Sequence, residues 1–417
     1  MEFIREKIKE KPISKRRIAM KVGIAALCGL VFALVVCLVL LFIFPIIKEA
    51  WQTESSELMS ETIDDSTEVT EILTEEPGTE NMGNHIVLPP DLSLSIPDYQ
   101  ILQDELYRIG NEANKSIVTV TKMENENDWL TNDYEAEGQG SGLIIFDDNN
   151  YLYVLTERKI IAEAEHIRVS FVDGTGAEGT LLKYDGNTGM AVLTVEKRQL
   201  KRVTQNAIGV ARLESSKPVK NGAIVIALGS PLGTNYSILT GNITSVENEV
   251  VTCDKNYSVF TTDIMGSETG SGVLINTNGE VIGIVMQSFR GSQNANTLTA
   301  VDYTEIKDLI ESLKNGKDIP YVGVYAATIT DDISEDYDIP KGVFIREVAM
   351  DSPAMKAGLQ SGDIITHVNG SAVRTDEVLS EKISQLIPGT TCEVSVKRQS
   401  GDGYYEVKCT VTIGVLE

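Results

Sequence analysis

The stretch Gly266-Ser-Glu-Thr-Gly-Ser-Gly-Val-Leu-Ile-Asn-Thr-Asn-Gly-Glu-Val-Ile-Gly-Ile284 decides how this 417-residue chain is read. Its second half runs into Val281–Met286, an apolar segment of strand length preceded by turn residues. Its first half brackets a serine with glycines, Gly270-Ser271-Gly272. A serine hydroxyl is a weak nucleophile until a neighbouring base takes its proton, and an acid must later protonate the leaving group. The loop therefore poses a choice between a reacting serine and one that only shapes a turn, and other parts of the chain have to supply the base.

Outward from that stretch, residues 116–300 read as strand after strand. Ile117–Val120, Gly142–Phe146, Tyr151–Leu155, Ile167–Phe171, Met190–Val195 and Ala223–Leu228 are short apolar or alternating runs separated by turn residues. Such spacing predicts a β-barrel or sandwich with Greek-key connections. Asp98–Asn111, with Tyr99, Leu102, Leu106 and Ile109 at helical spacing, predicts a short amphipathic helix ahead of the strands, and Tyr303–Leu313 a closing helix behind them. Lys314-Asn-Gly-Lys317 reads as a hinge to a second, smaller unit.

The first hundred residues have a different character. Residues 1–21 carry eight Lys/Arg against three Glu, and 22–47 form an apolar run of 26 residues. That exceeds the roughly 20 residues that cross a bilayer as a helix. A signal peptide is the competing reading, but its apolar region is only ~7–15 residues long and ends at a small-residue cleavage site. The positive-inside rule then predicts a single-pass membrane protein with a cytoplasmic basic tail and extracytoplasmic folded domains. Residues 48–97 are rich in Glu, Ser and Thr and read as an acidic, disordered linker. The net charge of −25 argues against nucleic acid as a partner, since an acidic surface repels phosphates.

Five matches in order make the strand-rich unit resemble the trypsin-like domain of the HtrA (Deg) serine proteases. Gly138-Gln-Gly-Ser-Gly142 resembles the family's GQGSG entry, and Tyr153–Ile161 is similar to YVLTNNHVV. Tyr184–Leu193 matches DPRSDIALI, and Ala227–Gly233 with Thr240-Gly-Asn-Ile243 resembles AIGNPFG…SGIV. The opening stretch is similar to the GNSGGPLVN nucleophile loop and its GEVIGI strand. The resemblance implies a mainly β fold, a trypsin-like double β-barrel followed by a PDZ domain, preceded by one N-terminal transmembrane helix. Its domains are a tail (1–21), span (22–47), linker (48–97), protease-fold domain (98–314) and PDZ domain (318–417).

The catalytic residues do not carry over. Lys159 stands where the family has its histidine base, and Gly189 where it has the orienting aspartate. Counting forward from Thr262-Asp263 puts Ser271 at the nucleophile, whereas counting back from Leu274-Ile-Asn276 puts Gly270 there, so the loop is one residue short. Of three histidines, His85 lies in the linker, His166 at a strand approach and His367 in the second unit. The expectation is a degenerate triad and a pseudoprotease. An active endopeptidase using a Ser271–Lys159 dyad is the alternative, since a desolvated lysine serves as a base. A lysine salt-bridged to Glu157 or Glu268 opposes that alternative.

The second unit resembles a PDZ domain of the same family. Tyr321-Val-Gly-Val324 looks like the loop whose amides receive a peptide carboxylate. Gly342–Val348 and Ser352–Leu359 follow G-x-x-V…SPAxxAGL, and Gly362–Gly370 matches GDIIxxxNG. Thr375–Leu386 would be the groove helix, with Leu379 and Ile383 on one face. The implied physics is β-augmentation by an extended C-terminus. The expected partners are C-terminal or unfolded peptides held by Tyr321, Val322, Gly323, Val324, Leu379 and Ile383, in envelope protein quality control or its regulation. The resemblance also implies a homotrimer or an assembly with an active relative. No cofactor is expected and no spacing resembles a zinc site. If Ser400-Gly401 is a hairpin turn, Cys392 faces Cys409, as a disulfide or as two buried thiols.

Overall fold

The computed structural model describes residues 95–123, 138–213, 218–291, 296–401 and 403–416. All belong to one compact unit, Pro89–Glu417. The basic tail, the 22–47 run and nearly all of the 48–97 segment lie outside the described residues. Among the described residues, no helix is long and apolar enough to cross a membrane.

The chain enters through α1 (Ile96–Ala113), a helix two residues longer at each end than its apolar spacing predicted. Its start is fixed chemically: the Ser95 amide and hydroxyl both donate to the Asp98 carboxylate, at 2.9 and 2.7 Å, and Pro97 sits in the first turn. Such a capping box satisfies amides that the helix leaves free. Only the second half of the expected stripe packs as foreseen. Leu106 is buried and Ile109 joins the core, whereas Tyr99 and Leu102 are 62 % and 47 % exposed.

Two closed six-stranded antiparallel barrels follow. The first comprises β1 (Ile117–Met123), β2 (Gln139–Asp147), β3 (Tyr151–Glu157), β4 (His166–Ser170), β5 (Gly176–Tyr184) and β6 (Met190–Glu196), in spatial order 1-2-3-6-5-4. A one-turn helix, α2 (Arg158–Ile161), follows β3, and α3 (Arg202–Ala207) follows β6. The second barrel is β7 (Ile224–Ser230), β8 (Ser237–Val251), β9 (Asn256–Met265), β10 (Ser271–Ile275), β11 (Val281–Met286) and β12 (Thr297–Asp302), in order 10-11-12-9-8-7. Closure leaves neither barrel an open edge. Each strand turns alternate side chains into its own barrel, Val118, Ile144, Val154 and Leu193 in the first and Val225, Ala227, Leu274 and Val285 in the second, and the opposite faces meet in a shared core containing Leu143, Leu155, Val192, Ile226, Val273 and Ile284. The closing helix α4 (Tyr303–Lys314) adds Ile306, Ile310 and Leu313 to that core.

The remaining elements are β13 (Val324–Thr328), α5 (Asp331–Tyr337), β14 (Val343–Val348), α6 (Pro353–Lys356), β15 (Ile364–Val368), β16 (Ser371–Ala372), α7 (Asp376–Ser384), β17 (Thr391–Ser400) and β18 (Gly403–Thr412). Their sheet runs 13-14-15-17-18, so β13 is an edge strand. The β17–β18 register corrects the expected cysteine pairing. Ser400 pairs with Gly403, which moves the turn one residue on, and Cys392 therefore faces Val411 while Cys409 faces Val394. Both thiols are free and buried in one core, diagonal to each other.

Candidate functional site

The residues singled out from sequence fall into two places, one between the barrels and one where the second barrel meets the smaller sheet. At the first, Ser271 opens β10 and is buried. Its hydroxyl accepts the Ser141 amide of β2 at 2.9 Å. Ser141 is held in turn: its own hydroxyl donates to Asn235 Oδ1 at 2.7 Å, and its carbonyl accepts the Thr156 hydroxyl at 3.0 Å. Asn235 reaches the first barrel again through the Val118 carbonyl and the Thr119 hydroxyl. The serine is thus a fixture of the barrel–barrel seam. Beside it lies a cavity of ≈ 20 Å³ walled by Ser141, Thr156, Glu157, Met190 and Met286, room for about one water and not for a substrate side chain.

Gly270, the other residue reached by counting, offers no reacting atom. Its amide, one that could face a developing oxyanion, already donates to the Ser267 carbonyl at 3.0 Å. A side chain there would come within 2.6 Å of the Pro231 carbonyl.

Lys159 lies on α2, and its ammonium pairs with Glu157 at 2.8 Å while remaining 44 % exposed. The salt-bridged lysine foreseen from sequence is what the structure contains. Among the described residues no hydrogen bond joins Lys159 to Ser271. Gly189 sits in the turn between β5 and β6 with φ +75°. Its amide donates to the Asp185 carbonyl, and its carbonyl accepts the Arg158 amide at 2.7 Å, so the turn abuts the lysine's helix. Lys159 and Gly189 are therefore brought together, but no described hydrogen bond connects either to the serine. His166 begins β4, where Nδ1 lies 3.2 Å from Glu178, and His367 on β15 lies against the Thr366 hydroxyl.

Glu157 is a carboxylic acid in an unusual environment at this place. It is 6 % exposed, and Oε1 is buried with no hydrogen-bond partner. Burial pushes its carboxyl above the usual range, opposed by the Lys159 charge. A carboxyl raised in the folded state keeps its proton to higher pH than in the unfolded chain, so stability falls as pH rises from 4.5 through the raised value. Glu157→Gln is expected to remove that decline. In urea denaturation the variant gains on the native chain between acid and neutral pH, and a stability difference that does not change with pH would refute this.

At the second place, the loop read from sequence as a carboxylate receptor already holds a carboxylate. The Val322 amide donates to Asp254 Oδ2 at 2.7 Å, the Gly323 amide to Oδ1 and Oδ2 at 2.9 and 3.0 Å, and the Val324 amide to Oδ1 at 2.9 Å. Asp254 lies in the turn joining β8 to β9, with φ +63°. Its own amide donates to the Val324 carbonyl at 2.7 Å, and its carbonyl accepts the Ser380 hydroxyl of α7 at 2.7 Å. Two residues on, Asn256 Nδ2 donates to the Ala326 carbonyl and to Asp376 Oδ2 at 3.3 and 2.8 Å. Parts of the residue are exposed, but its carboxylate is enclosed by the loop. That burial pushes the carboxyl up to about 6 against the amide donors.

Tyr321 pairs with Gly414 at the base of this loop. Leu379 and Ile383 do lie on one face of α7, and both are buried in the small domain's core. Sequence reasoning missed Asp254, Asn256 and Ser380. Cys253-Asp-Lys-Asn256 is legible as a turn, but nothing local to it names a loop about seventy residues away.

Comparison with known proteins agrees with this architecture. Residues 140–284 match the trypsin-like peptidase domain family, and 312–409 match the PDZ domain family. The chain is 33 % identical over 288 residues to a probable periplasmic serine endoprotease, DegP-like, of Ectopseudomonas mendocina, covering 68 % of this chain and 57 % of that one. It is 28 % identical over 291 residues to the serine protease Do-like HtrA of Bacillus subtilis, covering 65 % and 63 %. The chain thus spans less than two thirds of the length of these relatives. Among solved structures, the serine endoprotease from Yersinia pestis matches with TM-score 0.51 at 23 % identity, covering 75 % of this chain and 98 % of that one. The HtrA-type protease AlgW, solved with a decapeptide, matches at 0.52 and 19 %, covering 74 % and 98 %. At that identity the likeness is one of fold. The expected placement as a single-pass membrane protein is corrected, since the first relative is described as periplasmic.

Proposed function

Because this chain joins a serine endopeptidase fold to a PDZ domain in the HtrA/DegP arrangement, we propose that it binds peptides without cutting them. The observation that carries this reading is Ser271, which is buried against the Ser141 amide, with Lys159 engaged by Glu157 and Gly270's amide engaged by Ser267. A serine hydrolase needs a base in hydrogen-bond reach of its hydroxyl and free donors aimed at the oxyanion. Gly189 has no side chain with which to orient a base. Binding is assigned to the Tyr321–Val324 loop and the β13 edge, which suit an extended C-terminus. In this reading the protein holds unfolded or C-terminal segments of envelope proteins, or regulates an active relative. The exposed apolar side chains Ile96, Tyr99, Leu102 and Tyr107 of α1 support self-association.

A fluorophosphonate probe and casein digestion test the proposal on the full chain. The expected result is no labelling and no cleavage above a Ser271→Ala control. Labelling mapped to Ser271, lost in Ser271→Ala and in Lys159→Ala, would establish the dyad endopeptidase instead.

A further inference from the structure

The peptide-receiving loop is engaged by its own chain, and the mode of engagement is specific. A C-terminal peptide docking by β-augmentation offers one carboxylate to the loop amides and backbone groups to the adjoining strand edge. The β8–β9 turn offers the same set: the Asp254 carboxylate takes the Val322, Gly323 and Val324 amides, and the Asp254 amide takes the Val324 carbonyl. Asn256 then covers the Ala326 carbonyl farther along β13, and Ser380 ties the turn to α7 across the groove. The loop amides and the Val324 and Ala326 carbonyls so bonded are groups that an incoming peptide needs. The turn is built for the position, since Asp254 adopts the left-handed backbone that only glycine, asparagine and aspartate visit readily.

We propose that Asp254 is an internal ligand, a side-chain carboxylate standing in for a C-terminal one, so that peptides bearing a free C-terminal carboxylate bind only by displacing the β8–β9 turn. This inference rests on the peptide-binding reading above and adds to it the competitor.

The surroundings of Asp254 argue against a buried ion pair. The ionisable groups packed around it are Asp185, Cys253, Lys255, Tyr257, Tyr321 and Tyr325, with Glu305, Glu347 and Asp376 beyond. Among the described residues the Asp254 carboxylate has no hydrogen bond to a cationic side chain, and its partners are backbone amides. That is the signature of an anion-receiving loop, not of a buried ion pair.

The test uses the full chain carrying Asp254→Gly, which removes the carboxylate and suits the turn's positive φ, and Ser380→Ala, which removes one tether and leaves the carboxylate. A fluorescent peptide with a free carboxylate and an apolar last residue is titrated by anisotropy, beside the same peptide amidated at its C-terminus. Amide hydrogen exchange of Val322, Gly323 and Val324 is followed in parallel, with circular dichroism to establish folding. The expected results are at least tenfold tighter binding of the free-carboxylate peptide to Asp254→Gly than to the native chain, a smaller gain for Ser380→Ala, and faster exchange of the three amides in both. Equal affinities and unchanged exchange would overturn the internal ligand while leaving peptide binding intact. Faster exchange with no binding by any peptide in a C-terminal library would instead remove the peptide-binding reading. If Asp254→Gly fails to fold, Ser380→Ala decides: unchanged affinity and exchange in that variant would overturn the proposal.

Discussion

Replacing Arg398 with alanine is expected to cost about 3–5 kcal/mol of folding free energy, the range found when one partner of a buried ion pair is removed. Asp363 is 1 % exposed, and the guanidinium meets it at both oxygens, Nε to Oδ1 and Nη2 to Oδ2, each at 2.7 Å. The same Nη2 donates to the Gly358 carbonyl at 2.8 Å, and the Gln360 amide supplies Asp363 Oδ2 at 2.9 Å. The carboxylate holds the guanidinium above its usual range. Alanine leaves a buried charge with one amide donor, so the penalty is mostly the stranded carboxylate and not the lost pair. The check is a urea titration of Arg398→Ala beside Asp363→Leu/Arg398→Leu. The double variant is expected to recover part of the loss, because two apolar groups need no partner. A loss under about 1 kcal/mol would place the pair among ordinary surface contacts. Arg398→Lys is expected to fall between, since an ammonium cannot span both oxygens.

A second large effect is expected at Gly272, next to Ser271. Its φ is +137°, and a Cβ there would overlap the Leu228 carbonyl across the β7–β10 ladder. Both residues lie within backbone pairing, Gly272 opposite Gly229, so neither can retreat without breaking hydrogen bonds. Gly272→Ala is expected to destabilise the second barrel by more than about 3 kcal/mol, combining strain at a special φ with overpacking. Thermal unfolding followed by near-ultraviolet circular dichroism measures it. A melting temperature within a degree or two of the native chain would show that the ladder opens at little cost. Gly279, in the turn of the same motif, has positive φ but a Cβ there would make only an ordinary contact, with Ile109 at 3.7 Å, and its alanine variant is expected to show only the smaller, conformational part of the loss.

These two residues also mark where sequence reading succeeds and where it stops. The glycines of Gly270-Ser-Gly272 and Gly362-Asp-Ile-Ile are legible as motif elements, because short motifs preserve local backbone requirements. What each motif residue touches is not local: Gly272 is made obligatory by Leu228, and Asp363 by Arg398, thirty-five residues away. The strand positions were legible for a related reason. Alternation and turn residues fix which segments are extended, and all seven strands foreseen from residues 117–286 start within three residues of the observed strand. Register was not legible. Moving the β17–β18 turn by one residue shifted the cross-strand partner of Cys392 from Cys409 to Val411, because the turn alone sets hairpin register.

The sequence by itself determined the class of fold and the order of its parts. It also carries the proposed loss of the triad, which rests on Lys159 and Gly189 standing where the resemblance expects a base and its orienting aspartate. Only the tertiary structure decided what the remaining groups do. Ser271 is committed to the Ser141 amide, Lys159 to Glu157, and the carboxylate-receiving loop to Asp254. Each of those commitments joins segments that periodicity and spacing cannot relate or leaves a partner among several candidates. Packing alone sets which polar atoms come within hydrogen-bond distance, and that pairing decides whether a site stands open, reacts or is already filled.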